Sequence, residues 1–89
     1  MSILIWKLLW NNNLQGDYMI LKELRLAKGY TQEELANILK ISLRQYVRID
    51  NEQTIPRPDI LASLISILDM SDAEVGKFIK SVLRNKRAL

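Results

Sequence analysis

The chain has 89 residues, no cysteine, no histidine and a formal charge of +3. That length holds one small domain, and without Cys or His it has no disulfide, no thiolate or imidazole zinc site and no usual nucleophile–base pair. The positive excess is modest, so where the charges lie says more about a partner than their sum does.

Residues 1–10, MSILIWKLLW, are apolar apart from one lysine, and NNNLQGD after them is polar and turn-rich. The apolar run is too short for a membrane span, which takes about 20 residues. It also lacks the basic start and small-residue cleavage site of a signal peptide. Three readings of this leader stand open. It packs on the domain or on a second copy, as exposed apolar runs usually do. It touches a membrane surface, for which a single lysine gives little attraction. Or residues 1–18 are translated upstream DNA: Gln15-Gly16-Asp17 can be encoded CAA-GGA-GAT, which contains the ribosome-binding sequence AAGGAG just ahead of Met19. The expected division is therefore a leader at 1–18 and a domain at 19–89.

From Met19 the pattern is regular. Ile20, Leu21 and Leu24 make an apolar stripe at helical spacing, with Lys22, Glu23, Arg25 and Lys28 on the other side and Gly29 as a natural stop. Thr31 with Glu34, and Ser42 with Gln45, have the spacing of capping boxes, in which side chain and backbone satisfy each other's orphan groups. Behind them Leu35, Ala36 and Leu39, then Tyr46 and Ile49, fall on single faces. Two capped helices this close leave only a few residues between them, which is the signature of a helix-turn-helix.

Asn51 to Pro56 reads as a loop, and Pro58 suits the first turn of the next helix, where its missing N–H costs nothing. Ile60, Leu61, Leu64, Ile65 and Leu68 line that helix. Ser71 with Glu74 is a third capping box, and Val75, Phe78, Ile79, Val82 and Leu83 continue at helical spacing. The expected fold is all-α, with five helices from residue 19 onward.

The third helix, about 43–50, is the candidate for reading DNA. With Tyr46 and Ile49 turned to the core, a turn of 100° per residue puts Arg44, Val47, Arg48 and Asn51 on the opposite face, flanked by Leu43 and Gln45. Arginine suits guanine O6 and N7 in the major groove, and Leu43 or Val47 can touch a thymine methyl. Asn51, Gln53, Thr54 and Arg57, in or after the loop, can reach backbone phosphate.

The order LKELRLAKGYTQEELANILKIS, RQYVRIDN, a proline and LASLISILDMS resembles the Cro/C1-type, or XRE-family, helix-turn-helix domains of phage and bacterial regulators, over roughly residues 20–75. The correspondences are Arg25, the Gly29, Gln32, Leu35 and Ala36 run, Ile41-Ser42, Ile49-Asp50, Pro56 and Leu68. The resemblance implies a five-helix, lambda-repressor-like DNA-binding domain with no cofactor, no metal and no catalytic residue. It implies base contacts from Leu43, Arg44, Gln45 and Arg48, a phosphate clamp at Gln32, and an Arg25–Asp50 ion pair. The sequence departs from the family at three places: Lys40 and Glu52 stand where glycine is usual, and Asp50 where glutamate is. Glu52 is the more serious change, because it places a negative charge in a loop expected to approach phosphate.

Together these features point to a cytoplasmic, sequence-specific regulator of the phage or prophage repressor kind. Its partner would be double-stranded DNA, bound by a homodimer on a palindromic operator. Phe78, Ile79 and Val82 either form the dimer surface or close the monomer core. The alternative is a protein-interaction module or an antitoxin built on the same scaffold, to which the apolar leader and Glu52 both point. An enzyme is the remaining class and has the least support: there is no glycine-rich phosphate loop.

Overall fold

The structure, a computed structural model, describes residues 19–87; the leader and its three readings lie outside the described residues. Five helices follow in order: α1 (Ile20–Lys28), α2 (Gln32–Leu39), α3 (Leu43–Asp50), α4 (Pro58–Leu68) and α5 (Asp72–Arg87). Among the described residues there is no strand.

The helix starts follow local chemistry. Thr31 Oγ1 accepts the Glu34 N–H at 3.0 Å while Glu34 Oε1 accepts the Thr31 N–H at 2.8 Å. Ser42 and Gln45 repeat this pair at the start of α3, at 3.0 and 3.1 Å, and Ser71 and Glu74 at α5, at 3.2 and 2.8 Å. α4 opens on Pro58 instead.

The helix ends share one device. After α1, α2, α3 and α4 a residue takes the left-handed conformation: Gly29, Lys40, Glu52 and Asp69, with φ of 81°, 58°, 57° and 52°. In each case that residue and the next donate backbone N–H groups to carbonyls of the last turn, as in Gly29 to Leu26 and Tyr30 to Arg25, or Glu52 to Ile49 and Gln53 to Arg48. These are Schellman motifs, whose left-handed position costs a β-carbon-bearing residue free energy and glycine none. Lys40 and Glu52, the two departures from the family's glycines, occupy such positions, so the departure is in the side chain and not in the backbone path.

The core is built from all five helices. Leu21, Leu35, Tyr46, Leu64, Phe78 and Val82 are fully buried, with Leu68 and Ala36 close behind. α2 and α3 pack most closely on each other, while α4 rests on α1 and α2, and α5 on α1. This corrects one expectation. Phe78 and Val82 belong to the monomer's own core and have no surface to offer a second copy; of the three residues named for a dimer surface only Ile79 is partly accessible. The physical reason is that α5 is the element that closes the open side of α1.

Candidate nucleic-acid interface

α3 divides as its periodicity predicts. Tyr46, Ile49 and Asp50 are buried, Leu43, Arg44, Gln45 and Arg48 are exposed, and Val47 is half-buried. Arg44 and Arg48 therefore stand one turn apart on the outer face.

Behind that face lies a buried polar network centred on Asp50, which is fully inaccessible. Its carboxylate accepts Arg25 Nε at 3.1 Å and Nη2 at 3.2 Å, Tyr46 Oη at 3.0 Å and Gln32 Nε2 at 3.0 Å. Arg25 Nη1 also donates to the Tyr30 carbonyl at 2.9 Å. Burial and the adjacent Asp50 carboxylate push the Tyr46 phenol far above its ordinary range, so it stays protonated and remains a donor. A paired arginine fork and two further donors satisfy the carboxylate, and the network ties the end of α3 to α1 and to the start of α2. The Arg25–Asp50 pair has the form the family resemblance implies. Tyr46 and Gln32 as further partners of Asp50 are additions. Tyr46 was legible in principle, since it lies four residues before Asp50 on one helix.

Two of the expected contact residues have part of their chemistry already in use. Gln45 Oε1 caps Ser42, so the amide nitrogen is the end left for DNA. A bidentate grip on adenine needs both ends; with the capping box closed, Gln45 offers donors only. Gln32 spends one amide hydrogen on Asp50 and keeps the other.

Glu52 departs from expectation most. Its side chain is fully buried, and does not place charge in the loop. Oε2 accepts the Leu21 N–H at 3.1 Å, Oε1 has no hydrogen-bond partner, and the Glu52 carbonyl accepts Asn85 Nδ2 at 2.9 Å. A carboxylate at the first turn of a helix meets orphan N–H groups and the positive end of the dipole. α1 has no side-chain cap of its own at Met19, and Glu52 supplies one from the loop.

The loop itself carries half-buried Asn51 and Thr54 and exposed Gln53 and Arg57. Arg57 lies 3.5 Å from Asp59, both of them exposed. Asn51 Oδ1 accepts Lys22 Nζ at 3.3 Å, a contact that sequence reasoning missed. An open groove of about 220 Å³ runs between α3 and the loop, with Gln45 and Arg48 on one side and Thr54 and Arg57 on the other. It brings two expected base-contact residues and two expected phosphate-contact residues to one surface.

A helix-turn-helix family model matches residues 21–75 of the chain. The chain belongs to this family. Its members are DNA-binding regulators of the XRE type, and the match takes in α1 to α4 and the first turn of α5. Among curated proteins and solved structures, none matches. In this helix-turn-helix protein α2 and α3 are the paired helices, and α3 is the one that carries two exposed arginines on its outer face. Among the described residues no helix is long and apolar enough to cross a membrane.

Proposed function

We propose that this protein is a sequence-specific transcriptional regulator of the phage or prophage repressor kind, acting in the cytoplasm and binding a palindromic operator as a homodimer. α3 enters the major groove. Leu43, Arg44, Gln45, Val47 and Arg48 meet base edges, and Gln32, Asn51, Gln53, Thr54 and Arg57 meet phosphates. The observation that carries this reading is the pair Arg44 and Arg48, exposed one turn apart on a helix whose inner face is locked by the Asp50 network. A guanidinium fork held on a rigid element is the arrangement that discriminates guanine. On α5, half-buried Ile79 and exposed Leu83 form the apolar surface open to a second copy.

The interaction-module or antitoxin alternative drew on Glu52, and that support falls away because the carboxylate is turned inward. The test is selection of binding sites from random DNA, followed by gel shifts with the selected site. Replacing both Arg44 and Arg48 by alanine abolishes sequence preference on this reading. Binding by the intact protein that is salt-sensitive and blind to sequence overturns it.

A further inference from the structure

The C-terminal end of α3 is a poor place for a phosphate. The helix dipole is negative there, and a glutamate, Glu52, stands two residues beyond the last helical residue. The structure removes both difficulties, and a residue of α1 does part of it. Glu52 turns inward, as described. Lys22 reaches across from the first turns of α1 and donates to Asn51 Oδ1 at 3.3 Å. An ammonium has no acceptor, so it must be the amide oxygen that faces Lys22. The amide nitrogen of Asn51 then has both hydrogens unspent among the described residues. Among the described residues Lys22 forms no salt bridge.

The result is a pair that can only donate: one positive charge and an oriented amide, side by side at the end of the recognition helix. We propose that Lys22 is a further DNA-contact residue, which together with Asn51 holds one backbone phosphate flanking the bases that α3 reads. This rests on the DNA-binding reading above. Lys22 supplies the charge and fixes the orientation of Asn51; Asn51 supplies neutral donors.

Those roles separate in the salt dependence of binding, because only a cation releases counterions when it meets a phosphate. The experiment is fluorescence anisotropy of the full chain on the selected operator and on unrelated duplex, between about 50 and 200 mM salt. Lys22→Ala is expected to reduce the slope of log K against log salt by about 0.9, with equal loss on both DNAs and an unchanged ratio between them. Lys22→Arg keeps the slope. Asn51→Ala weakens binding on both DNAs and leaves the slope as it was. Thermal melting of each variant shows that the folded protein is being measured. A Lys22→Ala slope and affinity equal to wild type, in a protein that binds its operator specifically, overturns the proposal. If the wild type shows no sequence preference but Lys22→Ala still lowers the slope, the regulator reading fails and the phosphate contact stands. If it binds no DNA, both fall.

Discussion

Lys40 and Glu52 offer a controlled comparison. Both are the left-handed residue of a Schellman motif, with φ of 58° and 57°. Both carry a long side chain where glycine has no conformational cost. They differ in what the side chain does: Lys40 is exposed, while Glu52 is buried and caps the Leu21 N–H at 3.1 Å. Replacing either by glycine relieves about 1–2 kcal/mol of left-handed strain. It also returns about 0.4–1 kcal/mol to the unfolded chain as entropy. Lys40→Gly should therefore stabilise the protein by about 0.5–1 kcal/mol. Glu52→Gly has the same gain but loses a hydrogen bond to a charged group, about 1.5–3 kcal/mol. The unpartnered Oε1 trims that loss toward its lower end, leaving a net destabilisation of about 1 kcal/mol. Urea unfolding measures both. With a slope of about 1 kcal/mol/M, the midpoint rises by about 0.5–1 M for Lys40→Gly and falls by about 1 M for Glu52→Gly. Equal stabilisation by the two substitutions would refute the reasoning, because the buried carboxylate would then contribute nothing to α1.

Other outcomes follow from the network and the outer face. Asp50→Ala strands the buried Arg25 guanidinium and the Tyr46 phenol, and should cost about 3–5 kcal/mol in chemical unfolding, enough to leave so small a domain largely unfolded. Tyr46→Phe should cost about 1.5 kcal/mol at neutral pH. The Tyr46 phenol is raised above its ordinary value of 10.0. The stability it contributes is therefore fully present below about pH 10 and is lost as pH rises above it, when the unfolded phenol ionises and the folded one does not. Wild type minus Tyr46→Phe, followed by urea unfolding from neutral to strongly alkaline pH, should show that decline; a difference independent of pH would contradict it. Arg44→Ala and Arg48→Ala should each weaken operator binding by about 1–3 kcal/mol and relax preference at one base position, read by competition binding with point-mutated sites. Gln32→Ala should weaken binding about equally on operator and unrelated DNA in the same competition assay, since a phosphate contact carries no sequence information.

The sequence by itself determined whatever depends on neighbours within one turn. The three capping boxes link residues three apart, and each is present with the partners its spacing predicts. The division of α3 into a core face and an outer face follows from helical periodicity, which by itself places Arg44 and Arg48 outward. Resemblance to a known family added the Arg25–Asp50 pair. What tertiary structure decided are the pairings between residues distant in the chain. Glu52 meets Leu21 across 31 positions, Asn85 meets Glu52 across 33, Lys22 meets Asn51 across 29 and Gln32 meets Asp50 across 18. No local pattern specifies such partners, because they depend on how the helices are stacked on one another and on the loop. The same stacking decided Phe78 and Val82: a stripe at helical spacing says that a face must be covered, and only the position of α1 says that the chain covers it itself. For Glu52 the sequence showed a charge in a loop; the uncapped first turn of α1 beside it decided which way that charge would point.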